Sequence, residues 1–188
     1  MRAFLAAEIN EELKEKISDV QKQLMEADAP VKFVEPHNLH FTFKFFGEID
    51  GEKSEEIVSA VETKIQNYFP FEIFIKGVGV FPNPRYIRVL WLGVEDSEPF
   101  SKLQMDLDED FKKMGFKKER SYVPHLTMGR VRGAKNKDAL LSKIEELEDV
   151  EIGKMKIDKL LLKESVLKRD SGPVYTTINE FNLIEKEG

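Results

Sequence analysis

The chain has 188 residues, of which 41% are hydrophobic, and its formal net charge at pH 7 is −6. A composition of this kind can bury a real core and excludes a mainly disordered chain. Because cysteine is absent, disulfides, iron–sulfur clusters and thiol nucleophiles are excluded, and the acidic balance disfavours a protein that holds long nucleic acid through counterion release.

The sequence predicts a cytoplasmic protein without a membrane span. It contains no apolar run of ~18 residues, and the apolar start of the chain stops at Glu8, too early for the core of a signal peptide. Charged residues make up 34% of the chain, and such a Lys- and Glu-rich composition is typical of thermophile proteins. A melting midpoint of about 45–65 °C, the mesophile range, would contradict that hypothesis.

Periodic apolar patterns predict the same order of elements twice. In the first half they predict strands at 2–9, 31–34, 40–46 and 71–80, with helices at 11–27 and from 50 or 51 to about 65. In the second half they predict strands at 86–94, 122–131, 152–162 and 174–184, with helices beginning at 97 and 136.

The spacing of the halves indicates an internal duplication. Phe4 precedes His40 by 36 residues, and Val89 precedes His125 by the same 36. We therefore predict one domain over 1–188, of α+β class and bilobal, with halves at 1–81 and 86–188 connected near 81–85. Two antiparallel sheets with helices on their outer faces would then enclose a cleft between the lobes.

Two strand-like stretches carry the residues that could perform chemistry. In the first, a period of two places His40, Thr42 and Lys44 on one face and the alternating residues Phe41, Phe43 and Phe45 in the core, with Phe46 breaking onto the face of His40. In the second, His125 and Thr127 share a face opposite Leu126 and Met128. Arg130 joins that face only if a bulge occurs at Gly129.

Two facing histidines can divide acid and base work near neutral pH, one taking a proton from water and the other giving one to a leaving oxygen. Hydroxyls of Thr42 and Thr127 can hold the equatorial oxygens of a phosphate between the rings. Lys44 and Arg130 are further candidates for binding this phosphate. The motifs contain no paired carboxylate or third ligand, so no metal or cofactor is expected. A strained cyclic phosphate suits such a site best.

The stretches 38–47 and 123–131 resemble the paired His-x-Thr-x motifs of the two-histidine (2H) phosphoesterases, in the branch of RNA 2′,3′-cyclic phosphodiesterases and 2′-5′ RNA ligases. The tail at 167–175 is also similar to the ending of that branch. The resemblance implies opening of RNA 2′,3′-cyclic phosphate to a 2′-phosphomonoester, with His40 as proton donor and His125 as proton acceptor. It also implies reversible, ATP-independent 2′-5′ ligation and an RNA partner, tRNA halves being one candidate.

Two other functions remain open at this point. One is a phosphodiesterase for a nucleotide-derived cyclic phosphate, such as that of ADP-ribose, and the other is a non-catalytic binder of RNA ends.

His37 is predicted to be a surface loop residue. Four further side chains are candidates for RNA contact, although each is expected by default to be merely solvent-exposed: Arg85, Arg88, Arg132 and Tyr122. A monomer is expected, because the duplication already supplies both halves of the site.

Overall fold

Strands and helices follow the predicted order in a computed structural model that describes residues 1–185. The strands are β1 (Arg2–Glu8), β2 (Val31–Phe33), β3 (His40–Glu48), β4 (Phe71–Asn83), β5 (Tyr86–Glu95), β6 (Leu126–Val131), β7 (Glu151–Ile157), β8 (Lys159–Val166) and β9 (Val174–Asn182). The helices are α1 (Glu11–Met25), α2 (Gly51–Ile65), α3 (Glu98–Lys113) and α4 (Lys137–Glu146), with a short 3₁₀ helix at Pro36–Asn38. The α+β class is confirmed.

Two predicted strands differ substantially from those observed. The strand expected from 122 begins only at Leu126, so His125 lies immediately before β6 and not inside it. The strand expected over 152–162 is two strands, β7 and β8, separated at Asp158. Helix signals were more accurate: Asp50 accepts a hydrogen bond from the Lys53 amide and so caps α2.

The nine strands form one hydrogen-bonded sheet in the order β7-β4-β5-β6-β3-β1-β8-β9, with β2 paired to β6. Every pair is antiparallel. Between β3 and β6 only Phe41 and Leu126 are paired, so the two predicted sheets exist as two halves joined by a single bridge. All four helices contribute to one continuous apolar core with the strands.

Each half of the sheet mixes both halves of the sequence. In one half β1 pairs with β3 and β8, and β8 pairs with β9, whereas in the other half β4 pairs with β5 and β7. The stretch 81–85, expected to connect the halves, comprises the end of β4 and the turn of the β4–β5 hairpin, and it lies within one half of the sheet. The internal duplication stays a prediction, and the structure adds a second observation in its favour.

That observation is a pair of matched β-bulges. The register between β1 and β3 shifts so that Phe43 is unpaired, and the register between β5 and β6 shifts so that Met128 is unpaired. Each bulged residue directly follows the Thr of its motif. A bulge inserts one residue and reverses the alternation beyond it, so the faces of β3 and β6 change immediately after Thr42 and Thr127.

None of the helices within residues 1–185 is long and apolar enough to cross a membrane.

Candidate active site

A cleft of about 560 Å³ lies over the junction of the two sheet halves, on the face opposite the core. Its walls include both motif histidines and both motif threonines, together with Arg130. Phe41 and Leu126, which form the bridge, are fully buried beneath it. Since neighbouring residues of a strand alternate in direction, burial of this pair turns the residues on either side of it toward the cleft.

The bridge also decides which groups are neighbours. In an antiparallel register centred on Phe41 and Leu126, His40 lies opposite Thr127, and Thr42 lies opposite His125. Each imidazole is therefore set beside the hydroxyl of the other motif. The single backbone pair brings together four side chains that are distant in sequence.

His40 is held by its backbone and by two aromatic rings. Its Nδ1 lies 2.7 Å from the carbonyl oxygen of Asn38, and the rings of Phe4 and Tyr175 lie 4.9 and 5.4 Å from the imidazole, centroid to centroid. Because a carbonyl can only accept, Nδ1 carries a hydrogen, and Nε2 is the nitrogen left for a substrate. Burial lowers the pKa of His40, opposed by the Asn38 carbonyl.

His125 has a more apolar setting. Its ring lies 4.6 Å from that of Phe81 and 5.0 Å from that of Trp91, both edge to face. Among the described residues it has no hydrogen-bond partner comparable to Asn38, and burial lowers the pKa of His125 below the usual imidazole value. The two histidines thus differ in how well a positive charge is stabilised on each.

Arg130 lines the cleft because the bulge at Met128 exists. Met128 and Gly129 are both buried, so the next residue, Arg130, returns to the face of Thr127. Glycine is required here by close packing: a Cβ on Gly129 would lie 2.9 Å from Val31 Cγ1 and 3.2 Å from Phe33 Cδ1. The conditional prediction that a bulge near Gly129 would bring Arg130 to this face is confirmed.

The prediction that Lys44 shares the face of His40 is wrong. The bulge at Phe43 reverses the alternation, and Lys44 lies on the core side with 3% of its side chain exposed. Its Nζ is 2.6 Å from Asp108 Oδ1 and 2.5 Å from the carbonyl oxygen of Lys117. A lysine tied to a buried carboxylate in this way is not available to a phosphate in the cleft.

Asp108 extends this pair into a network behind the cleft. It accepts hydrogen bonds from the Glu119 amide and the Tyr122 hydroxyl, each at 2.8 Å. Tyr122 is therefore a structural residue here, with its pKa raised to about 12 by burial and by Asp108. Through these bonds α3 fixes the loop that leads to His125.

The bulge at Phe43 also exchanges the faces predicted for Phe45 and Phe46. Phe45 lines the cleft and is 49% exposed, whereas Phe46 is 7% exposed and packs on Phe111 and Phe116. His37 is exposed, as predicted, and does not line the cleft.

Several side chains in the site were not predicted from the sequence. Phe4, Phe81 and Tyr175 all contact a motif histidine and line the cleft. Tyr175 lies in the tail at 167–175, whose resemblance to the family's ending was the one available signal. The tail is tied to the site by Asn38, whose Nδ2 donates to the carbonyl oxygen of Pro173 at 3.0 Å.

The charge of the cleft is positive despite the acidic chain. Lys32, Arg130 and Arg132 line it together with a single carboxylate, Glu35, among residues 1–185. Over the same residues, no group of three or more His, Cys, Asp or Glu side chains is arranged to hold a metal ion. The arrangement can bind an anion between two imidazoles.

An α+β fold in which two His-x-Thr pairs face one cleft defines a two-histidine phosphoesterase. The particular family follows from the sequence: residues 7–187 match the family model of the 2′-5′ RNA ligase superfamily, and the chain belongs to that family. The predicted resemblance is confirmed.

Relatives and solved structures agree with this assignment. The chain is 54% identical to an RNA 2′,3′-cyclic phosphodiesterase of Methanothermobacter thermautotrophicus, covering 97% of this chain and 99% of the relative. It is 42% identical to a Methanocaldococcus jannaschii protein of the same name, covering 96% and 100%. The crystal structure of TT0787 of Thermus thermophilus superposes with a TM-score of 0.82 at 26% identity, covering 97% and 98%. Escherichia coli LigT complexed with 3′-AMP has the same fold, with a TM-score of 0.80 at 22% identity and 98% of both chains covered.

Proposed function

We propose that this protein is an RNA 2′,3′-cyclic phosphodiesterase that opens cyclic phosphate ends to 2′-phosphomonoesters. One observation carries the proposal: the Phe41–Leu126 bridge sets two His-Thr pairs against each other in one positively charged cleft. The relatives named RNA 2′,3′-cyclic phosphodiesterase, which match almost the whole chain, support the substrate class.

In the proposed reaction His125 accepts a proton from water, and the resulting nucleophile attacks the phosphorus of the cyclic phosphate. The bond between phosphorus and the 3′ oxygen breaks, and His40 donates a proton to that leaving oxygen. Thr42, Thr127 and Arg130 hold the non-bridging oxygens, whose charge grows in the transition state. No metal takes part. Each proton transfer contributes roughly 10²–10⁴-fold.

The division of roles between the histidines is supported by their settings. The Asn38 carbonyl 2.7 Å from His40 Nδ1 stabilises the protonated imidazole, which is what a donor needs. His125 has no such acceptor among the described residues, and its burial favours the neutral form, which is what an acceptor needs. After turnover His40 is neutral and His125 is protonated, and exchange with solvent restores both.

The first experiment is an assay with a short RNA that ends in 2′,3′-cyclic phosphate, in excess EDTA, with the product's phosphate position determined. A 2′-phosphate supports the proposal, and a 3′-phosphate or no opening contradicts it. His40→Ala and His125→Ala should each abolish opening while largely sparing RNA binding. If both variants retain wild-type turnover, the paired-imidazole mechanism is wrong.

The two other candidate functions give different results in this assay. A metabolite phosphodiesterase would open the cyclic phosphate of ADP-ribose faster than the RNA end. A non-catalytic binder would retain the RNA without opening it. The reverse reaction is tested by replacing water as the nucleophile with the 5′-hydroxyl of a second RNA and measuring 2′-5′ joining without ATP. The choice of tRNA halves as substrate, the monomeric state and the cytoplasmic location stay predictions.

A further inference from the structure

A second cavity of about 420 Å³ adjoins the cleft and is lined by cations. We call it the basic groove and define it by Tyr86, Arg88, Arg132, Lys135 and Lys137. Within residues 1–185, every charged side chain that lines it is positive. The proposed chemical step makes no use of this groove, since the two His-Thr pairs lie in the cleft, although Arg88 and Arg132 are candidates for RNA contact from the sequence.

The groove and the cleft share one lining residue. Arg132 lines both of them. It follows β6, the strand that presents Thr127 and Arg130 to the cleft. At about 3.3 Å per residue, the path from His125 to Arg132 is at most about 23 Å long. A ligand longer than one nucleotide could therefore extend from the histidines into the groove.

The charges of the groove are not neutralised within the protein. Arg88, Arg132 and Lys135 form no salt bridge with a carboxylate of residues 1–185, and Lys137 Nζ donates to the carbonyl oxygen of Arg85. By contrast, thirteen ion pairs occur elsewhere in the described chain, and the net charge is −6. Four cations gathered without counter-charges on an acidic protein indicate an anionic ligand.

An exposed aromatic ring accompanies these cations. Tyr86 is 60% exposed, and the Arg88 guanidinium lies 5.8 Å from the centroid of its ring. Cations that follow a phosphate backbone, combined with rings on which bases stack, are the usual means of holding a single nucleic-acid strand. An acidic peptide would use the cations but would have no need of the exposed ring.

We propose that the basic groove binds the RNA segment on the 5′ side of the cyclic phosphate end. This inference rests on the proposed function. A 2′,3′-cyclic phosphate terminates a strand, so all remaining nucleotides of the substrate lie on its 5′ side. With the terminal phosphate between the histidines, the strand leaves the cleft past Arg130 and Arg132 and enters the groove. The groove thereby makes the enzyme selective for RNA over a mononucleotide.

The test compares two substrates: cytidine 2′,3′-cyclic phosphate and a single-stranded RNA of about a dozen nucleotides with the same terminal group. The double variant Arg88→Gln/Lys135→Gln leaves Arg132 in place, and Tyr86→Ala tests the ring independently. Lys112→Gln/Lys113→Gln is the matched control, because these exposed lysines of α3 line neither the cleft nor the groove. Thermal melting of each variant checks that it is folded.

We expect the ratio of kcat/KM for the RNA to that for the mononucleotide to fall roughly tenfold or more in the double variant. The slope of log affinity for the RNA against log salt should decrease by about 1.4, since each phosphate contact on a single strand contributes about 0.7. Tyr86→Ala should lower the same ratio without changing the slope, and the control should change neither.

Three outcomes would overturn the inference: no preference of the wild type for RNA, an unchanged ratio and slope in folded groove variants, or an equal loss in the control. Failure of the proposed function is distinguishable, because the wild type would then open neither substrate. Binding of an acidic peptide at the groove, with the RNA preference intact in the variants, would also overturn it in favour of a protein partner.

Discussion

Phe45 and Arg130 occupy equivalent places in the two motifs, each three residues beyond a motif threonine and two beyond the bulged residue. Both side chains line the cleft. The two matched motifs therefore present an aromatic ring beside one histidine and a guanidinium beside the other. A substrate with a base on one side and a phosphate on the other matches that asymmetry better than a symmetric one.

Arg130 should be needed for binding the phosphate. Arg130→Gln removes a charge-assisted hydrogen bond worth about 1.5–3 kcal/mol, so kcat/KM for RNA opening should fall roughly 10- to 150-fold. Steady-state kinetics with the cyclic-phosphate RNA measure this loss. Arg120→Gln is the control, because Arg120 is exposed and does not line the cleft. If both variants lose activity equally, Arg130 acts only through general charge.

Phe45 and Phe46 should separate binding from stability. Phe46 is buried against Phe111, so Phe46→Ala should lower the free energy of unfolding by about 3–5 kcal/mol. Phe45 is half exposed in the cleft, so Phe45→Ala should leave stability nearly unchanged and weaken RNA binding by about 1–3 kcal/mol if a base stacks on it. Denaturant unfolding and RNA titration distinguish the two. If instead Phe45→Ala destabilises the protein and Phe46→Ala weakens RNA binding, the two side chains lie on the faces that strict alternation predicts.

The sequence allowed prediction of the site up to the bulges and not beyond them. His40, Thr42, His125 and Thr127 precede the unpaired residues, where a period of two holds. Lys44 follows Phe43, and its face depends on pairing with β1, a strand remote in sequence. Whether a bulge forms depends on the partner strand, so the local sequence pattern could not predict it. Arg130 could be assigned only conditionally, because Gly129 gave a local sign of irregular packing.

The network behind the cleft was unpredictable for a similar reason. Lys44 and Asp108 lie 64 positions apart, and neither shows in its local pattern that it is buried. The α+β class was easier to predict, because it rests on the order of long periodic elements. The mixing of both sequence halves in each half of the sheet was not predicted, because strand pairing is a long-range property.

Lys44 should matter for stability and not for phosphate binding. Lys44→Met leaves Asp108 buried and without its cation, which should lower the free energy of unfolding by about 3–5 kcal/mol. Lys118→Met is the matched control, because the Lys118–Glu109 pair is about half exposed and solvent-exposed ion pairs contribute little to stability. Denaturant unfolding measures both. A variant with wild-type stability and a raised KM for RNA would instead place Lys44 at the phosphate.

The pH dependence of turnover should be shifted to the acidic side. Burial lowers the pKa of both His40 and His125, so both limbs of the profile of kcat/KM should lie below about 6.5, the unperturbed imidazole value. As pH rises through the lowered pKa of His40, the donor loses its proton and activity falls. As pH decreases through the lowered pKa of His125, the acceptor becomes protonated and activity falls again.

Initial rates with the cyclic-phosphate RNA from pH 4 to 9 give this profile. The apparent pKa values belong to the coupled pair and not to either ring alone, so the assignment needs a variant. Substituting the Asn38 side chain would not remove its contact with His40, because the backbone carbonyl of Asn38 makes that contact. His40→Gln should therefore be used: it should remove the alkaline limb together with most of the rate. A flat profile, or an alkaline limb well above neutral pH in the wild type, would contradict protonated His40 as the donor in this buried setting.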